Sequence, residues 1–155
     1  MNGYTGKILN VDLTASTLHV EEPEALFYRR YLGGAGFVAY YLLKEVPPKI
    51  DALGPANVLV FAGGPITGMP VAGAGRSAVG AKSPLTGGYG EADVGGFFGA
   101  EMRQAGFDAV VVRGKAPTPV YLWLHDGEAE LRPADHLWGM TTAKCQEAVR
   151  DELSE

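Results

Sequence analysis

The sequence contains one cysteine, Cys145, in 155 residues. A single cysteine excludes a disulfide within the chain, and it excludes a metal site built only from the thiolates of this chain. The same scarcity is typical of a reducing compartment, so we expect a cytoplasmic protein. Because Cys145 falls inside a predicted helix and not at its N-terminus, we assign its thiol to packing.

Long apolar runs and dense basic stretches are also missing. The longest apolar stretch, residues 35–43, is far shorter than the roughly 20 residues that a membrane-spanning helix needs. Asp12 interrupts the only candidate signal-peptide core near the N-terminus. The formal net charge is −5, and Arg29-Arg30 is the only basic doublet. Since binding to a nucleic-acid backbone requires a basic face, we predict neither membrane insertion nor nucleic-acid binding.

No residue pattern typical of a nucleophile or a metal site is present. His19, His125 and His136 each lack a second histidine or a carboxylate at ligand spacing on a predicted helix. Ser83 lacks the Gly-x-Ser-x-Gly frame of a nucleophile elbow. We therefore expect structural roles for these side chains.

Glycine is abundant, at 22 of 155 residues, about twice its usual share of roughly 7%. The glycines occur in clusters, which indicates turns with unusual dihedral angles or backbone brought close to a ligand. In the densest cluster, residues 63–96, Arg76 could bind a phosphate through two hydrogen bonds and Lys82 could add a point charge. Gly95-Gly96 begins a predicted helix, whose N-terminus attracts anions. These residues leave two interpretations open, a phosphate-bearing cofactor site and a set of tight turns with both cations in solvent.

A second glycine cluster, Gly34-x-Gly36-x-x-Ala39, matches the dinucleotide-binding pattern only superficially. That pattern requires a strand before the first glycine and an acidic residue about 20 positions later. Here the preceding residues predict a helix. We therefore favour a glycine-built contact between two helices, or between a helix and a cofactor.

Apolar periodicity and turn residues predict an α+β fold in one domain, because strands follow one another without regular helix alternation. The helix over 37–46 is apolar nearly all round and is predicted to be buried. Residues 83–94 are predicted to be a loop. The predicted strands cover residues 7–13, 17–21, 57–62, 76–82, 108–113, 120–125 and 129–132, and the predicted helices cover 24–31, 37–46, 95–105 and 141–153.

Several motifs occur in a fixed order over nearly the whole chain, including GYTGKILNVDLT (3–14), YLGGAG (31–36), GPITG (64–68), KSPLTG (82–87), GGFF (95–98) and AGFD (105–108). Together they resemble the N-terminal domain of the aldehyde:ferredoxin oxidoreductase family, whose enzymes carry tungsten or molybdenum on a bis-pterin cofactor. The resemblance implies an α+β fold from a duplicated strand-rich unit, with mixed and antiparallel sheets and a few helices. It also implies that residues 1–155 are an incomplete N-terminal domain, truncated in its second half, without the cluster and substrate domains.

The resemblance assigns cofactor-binding roles to three residues. Arg76 matches an arginine that lies between the pterin and an iron–sulfur cluster, and Gly95 matches a glycine that contacts the pterin. Asp93 stands where the family has an asparagine whose backbone carbonyl binds the magnesium ion that bridges the pterin phosphates. Lys82 is a weaker candidate with a structural role. No residue of the chain is expected to be catalytic.

The function that the resemblance implies is the cofactor-binding portion of an enzyme that oxidises aldehydes to carboxylic acids. Electrons would pass through a 4Fe-4S cluster, not ligated by this chain, to ferredoxin. The expected partners are the remaining domains or subunit, ferredoxin and further copies in a homo-oligomer, and the chain alone should be inactive. One alternative is a non-catalytic module of the same fold that self-associates or acts as a scaffold. A second is a small nucleotide- or phosphate-binding protein that uses the loops of residues 63–96.

Overall fold

A six-stranded mixed sheet forms the centre of the fold in the computed structural model, which describes residues 3–154. β1 and β6 are parallel, and the other neighbouring strands are antiparallel. The α+β class with a mixed sheet, predicted from the sequence, is therefore confirmed. In chain order the strands are β1 (Ile8–Asp12), β2 (Thr17–Glu21), β3 (Val58–Gly63), β4 (Ser77–Lys82), β5 (Tyr89–Val94) and β6 (Ala109–Arg113), and they lie in the order β2-β1-β6-β3-β4-β5.

Within residues 3–154, four α-helices, a short 3₁₀ helix (Asp135–Leu137) and a β-hairpin accompany the sheet. In the hairpin, Asp126 and Gly127 both have positive φ, at 44° and 85°, which is typical of a type I′ turn. Among residues 3–154, no helix is both long enough and apolar enough to cross a membrane. The helices are α1 (Ala25–Tyr31), α2 (Ala35–Glu45), α3 (Phe98–Gln104) and α4 (Thr142–Leu153), and the hairpin strands are β7 (Val120–His125) and β8 (Glu128–Pro133).

The first face of the sheet packs against α1 and α2. Tyr28, Phe37 and Tyr41 are almost fully buried there against valines of β3 and β6. Burying one large apolar side chain contributes about 1.5–3 kcal/mol, so this aromatic cluster is a major part of the core. The prediction that α2 is buried on all sides is wrong, because Leu43 is 88% exposed.

The glycines at the junction of α1 and α2, including Gly36 in the first turn of α2, make close contacts with neighbouring backbone. A Cβ atom on Gly33 would lie 2.3 Å from the carbonyl oxygen of Gly63, and one on Gly36 would lie 1.9 Å from that of Tyr31. The amide of Gly34 donates to the Gly63 carbonyl at 3.0 Å. This cluster therefore brings the start of α2 against the end of β3, and no strand precedes it as a dinucleotide site would require.

The second face of the sheet packs against α3 and the β7–β8 hairpin. Its centre is a small apolar cluster in which Phe107 is fully buried. The hairpin side chains that pack on it are partly buried, so this layer covers the sheet less completely than the two helices cover the first face. The buried members are Leu9, Val11, Met102, Phe107 and Val110.

Two predicted boundaries are wrong in the segment that follows β4. Residues 83–94 were predicted to be a loop, but Tyr89–Val94 forms the edge strand β5. Its small and exposed residues carry no apolar alternation, so backbone pairing with β4 forms the strand. The helix predicted to begin at Gly95 begins at Phe98, because Gly96 has a φ of 89° and cannot lie in a right-handed helix.

A buried carboxylate attaches the N-terminal segment to the sheet. Asp108 is fully buried, accepts hydrogen bonds from the amides of Thr5 at 2.9 Å and Gly6 at 2.8 Å, and forms an ion pair with Arg103. Arg103 also donates to the carbonyl of Gly3 at 2.6 Å. Burial raises the pKa of the adjacent Tyr28 well above its ordinary value, and the Asp108 charge raises it further.

We expect Asp108→Asn to lower the free energy of unfolding by about 3 kcal/mol, because it leaves the Arg103 charge, whose side chain is only 12% exposed, without its partner. Chemical denaturation followed by circular dichroism measures this change. The matched control is Asp135→Asn at an exposed position, which should shift the free energy by less than about 0.5 kcal/mol. Equal effects of the two substitutions would contradict a structural role for the buried pair.

Candidate functional site

The three residues that the resemblance assigns to the cofactor meet at one end of the β4–β5 ladder. The last paired residues there are Ser77 and Val94, and Asp93 pairs with Ala78. Arg76 and Gly95 are the next residues along their respective strands, so the antiparallel geometry brings them to the same edge. The structure thus places Arg76, Asp93 and Gly95 together, although they are up to 19 positions apart in sequence.

Arg76 and Asp93 form an exposed pair of opposite charges. Nη1 of Arg76 lies 3.9 Å from Oδ2 of Asp93, and the two side chains are 69% and 61% exposed. A pair of this exposure contributes about 0–1 kcal/mol to stability, so the guanidinium is available to a ligand. Because the two charges cancel, an anion bound here needs either a further cation or well-placed hydrogen-bond donors.

Glycine backbone without side chains surrounds the charged pair. A Cβ atom placed on Gly73, Gly95 or Gly96 would meet nothing within 4 Å. Gly75 lies closer to the opposite segment, since its Cβ would be 3.1 Å from the carbonyl oxygen of Gly96. The two glycine-rich segments therefore come together and still leave space in front of Gly95. A flat ring or a phosphate can approach the backbone closely at such a surface.

Two residues that support this site were not identified from the sequence. The hydroxyl of Thr67, which is 6% exposed, accepts a hydrogen bond from the Gly64 amide at 2.8 Å and donates one to the Arg76 carbonyl at 2.7 Å. A Cβ on Gly99 would lie 2.9 Å from both Ser77 Cβ and Thr67 Cγ2. The only sequence signal was the position of Thr67 inside a Gly-Pro-x-Thr-Gly run.

The structure does not bring Lys82 to this site. Lys82 ends β4 at the side opposite to Arg76, and a six-residue strand spans about 17 Å. Its amide and carbonyl bind the Asn57 side chain at 3.1 and 3.0 Å. Nearby, burial and a hydrogen bond to Glu91 raise the pKa of Tyr89 to about 12. Lys82 therefore belongs to the far end of the strand, where its backbone has a structural role.

The histidines and the cysteine lie in other surroundings. His125 stacks on Trp123 with ring centroids 3.8 Å apart, and His136 lies 3.2 Å from Glu152. Cys145 is half-buried in α4. Within residues 3–154, no three side chains of His, Cys, Asp or Glu are grouped so that they could hold a metal ion. Protein side chains of the described region therefore offer a metal no more than one or two ligands at one place.

Comparison with known proteins gives the same family as the motifs. Residues 8–155 match the model of aldehyde ferredoxin oxidoreductase, N-terminal domain. The tungsten-containing aldehyde ferredoxin oxidoreductase of Pyrococcus abyssi is 45% identical over 155 residues, which are 100% of this chain and 26% of that protein. The aliphatic sulfonate oxidoreductase, WOR-like subunit, of Pyrococcus furiosus is 34% identical and is covered to 25%.

A solved structure has the same fold. The active-site complex BamBC of benzoyl coenzyme A reductase, in complex with 1,5-dienoyl-CoA, superimposes with a TM-score of 0.95 at 36% identity. The match covers 99% of this chain and 24% of that chain. The chain thus spans about a quarter of the length of these relatives. On these matches, the chain belongs to the aldehyde ferredoxin oxidoreductase family and corresponds to the N-terminal domain of its members.

Proposed function

We propose that the chain binds a bis-pterin cofactor carrying tungsten or molybdenum, as part of a larger oxidoreductase that converts aldehydes to carboxylic acids. The observation that carries the proposal is the convergence of Arg76, Asp93 and Gly95 at one end of the β4–β5 ladder. The names of the 42–45% identical relatives support tungsten and an aldehyde substrate. A 34% identical relative is named for aliphatic sulfonates, so the aldehyde substrate is proposed from the four more similar relatives.

Each of the three residues has a separate task in this proposal. The Arg76 guanidinium donates hydrogen bonds to a phosphate or to the pterin ring. Gly95 leaves the space that the pterin needs, because a side chain there would occupy it. The cofactor, when bound, supplies the redox chemistry, while the protein supplies orientation and charge placement. No side chain of the described region is proposed to break or form bonds in the substrate.

The chemistry of Asp93 fits a magnesium ion. Its carboxylate and its backbone carbonyl are hard oxygen donors, which Mg²⁺ prefers. A phosphate close to this carboxylate would be repelled unless a cation lay between them. Since the described residues provide no cluster of three metal-binding side chains, the ion would take its other ligands from the phosphates and from water. A single protein ligand is common for Mg²⁺ at phosphates.

We propose further domains or subunits for the enzyme because the chain is much shorter than its relatives. The chain spans about a quarter of its relatives, and its one cysteine cannot hold a 4Fe-4S cluster. We place the cluster ligands and the substrate pocket on further polypeptide, and ferredoxin is the proposed electron acceptor. The proposed location is the cytoplasm.

A self-associating or scaffold module of the same fold is the second candidate, and exposed apolar side chains favour it. Leu43, Leu85 and Phe97 are 88%, 93% and 83% exposed. Leu43 also lines an apolar groove together with Val46 and Tyr89, and an exposed apolar groove often marks a partner-binding surface. Both further enzyme domains and a second copy of the chain would cover it, but only the second copy would do so without any cofactor.

The experiment that separates the two candidates combines elemental analysis, pterin analysis and light scattering. The protein is produced in a host that synthesises the pterin and is supplied with tungstate and molybdate. Stoichiometric metal and pterin would support the cofactor-binding role. A metal-free and pterin-free oligomer would support the scaffold. The same preparation is the reference for the substitutions below.

We expect Arg76→Ala to lower the tungsten and pterin content at least about fivefold, the equivalent of roughly 1 kcal/mol, because one charge-assisted hydrogen bond is lost. The melting temperature should stay within about 2 °C, since the side chain is 69% exposed. The control is Arg29→Ala, which removes an exposed arginine from α1. Unchanged cofactor content in Arg76→Ala would remove Arg76 from the proposed site.

We expect Gly95→Ala to keep the stability of the protein and to reduce its cofactor content, because the added methyl enters open space that the pterin would fill. Gly88→Ala is the matched control, since Gly88 is also exposed, lacks a positive φ and lies at the far end of the ladder. Metal content and thermal melting measure both variants. If the two variants retain cofactor equally, the space in front of Gly95 is not the pterin site.

A further inference from the structure

The buried hydroxyl of Thr67 joins the backbone at Gly64 to the backbone at Arg76, at two places in the same glycine-rich region. It accepts from the amide of Gly64 at 2.8 Å and donates to the carbonyl of Arg76 at 2.7 Å. A hydroxyl has one proton, so its donor capacity is used entirely on Arg76. With 6% of its surface exposed, Thr67 leaves little room for water to replace either bond.

Arg76 is the first residue beyond the paired end of β4, so the hydrogen bonds of the sheet no longer fix its backbone on both sides. Ser77 is the last residue of β4 that is paired on both sides, with Gly63 of β3 and with Val94 of β5. The peptide that follows Arg76 toward Ser77 contains the carbonyl that Thr67 holds. The Arg76 side chain is 69% exposed and lies 3.9 Å from Asp93, so packing does not orient it. Together with the paired Ser77, the Thr67 hydroxyl therefore fixes the backbone from which this side chain extends.

Thr67 is itself held from several directions. Its amide donates to the Gly64 carbonyl at 3.1 Å, which closes a turn, and the Gly68 amide donates to the Ala74 carbonyl at 2.9 Å. Its methyl group faces Gly99 of α3, where a Cβ would come within 2.9 Å. A side chain with both ends fixed can transmit its position to its hydrogen-bond partner.

We propose that Thr67 is a positioning residue, whose hydroxyl orients Arg76 for the cofactor. The inference rests on the proposed cofactor-binding function, and it adds a specific contribution from a residue that does not touch the ligand. It also separates the two groups on the Thr67 side chain. The methyl packs against α3, and the hydroxyl sets the direction of Arg76.

Two substitutions separate these groups. Thr67→Val removes the hydroxyl and keeps the shape, and Thr67→Ser keeps the hydroxyl and removes the methyl. We expect Thr67→Val to lower tungsten and pterin content by about fivefold and to speed hydrogen exchange of the Gly64 amide by about tenfold, as the loss of a buried hydrogen bond implies. Thr67→Ser should retain both properties within about twofold. The ¹³C shift of the Arg76 carbonyl should move in the valine variant alone.

Thr14→Val is the matched control, because the Thr14 hydroxyl also accepts a bond from a distant amide, that of Lys115 at 3.1 Å, away from the site. Melting temperatures confirm that every variant is folded. Wild-type cofactor content in Thr67→Val, or equal losses in the valine and serine variants, would overturn the proposal. If the wild-type protein itself contains no pterin, the proposed function fails. In that case the hydrogen exchange of the Gly64 amide and the ¹³C shift of the Arg76 carbonyl still test whether Thr67 positions Arg76. If neither quantity changes in Thr67→Val, the positioning role of Thr67 is overturned.

Discussion

The pairing of β4 with β5 is the constraint on which the candidate site depends. It places Arg76 and Gly95 side by side, and a slip of one residue would move Asp93 to the opposite face of the sheet. β5 is an edge strand with exposed side chains, so its own apolar pattern cannot hold this register. Gly80 contributes to it, because a Cβ there would lie 2.8 Å from the Gly90 carbonyl oxygen and 2.3 Å from a methyl of Val38. Only glycine allows α2, β4 and β5 to approach this closely.

The glycine clusters serve two different purposes. One set allows close packing, because any Cβ would collide with backbone or a buried side chain, and the other leaves bare backbone in front of open space. Composition predicts that a glycine cluster has unusual dihedral angles or a close approach, but it does not distinguish packing from ligand binding. Both depend on the absence of a side chain. Neighbouring atoms decide between them. The packed set includes Gly33, Gly36, Gly80 and Gly99, and the open set at the site includes Gly73, Gly95 and Gly96.

Much of the fold could be predicted because apolar periodicity reports directly on burial. β1, β2, β7 and α4 begin and end within about two residues of the predicted bounds. β5 was missed because backbone pairing forms it, and pairing leaves no signal in a single sequence. Thr67 was missed for a related reason, since its hydrogen bond to Arg76, nine residues further on, closes an irregular loop that has no periodic pattern. The residue types alone did not decide between a phosphate-binding site and a set of tight turns with solvated cations. Asp93 was identified only through the resemblance to the family motifs. Sequence proximity suggested Lys82, which a whole strand separates from the site.

Affinity for an anion at this site cannot come from net charge. Arg76 and Asp93 cancel, and the chain carries a formal charge of −5. In the proposed site the attraction would come from geometry instead: an arginine on a fixed backbone, glycine backbone open to close approach, and a divalent cation between Asp93 and a phosphate. A directional site of this kind loses binding when its groups shift, even if every charge remains. For that reason, under the proposed function, the buried Thr67 hydroxyl would matter as much as the Arg76 guanidinium, and its burial would have a functional explanation as well as a structural one.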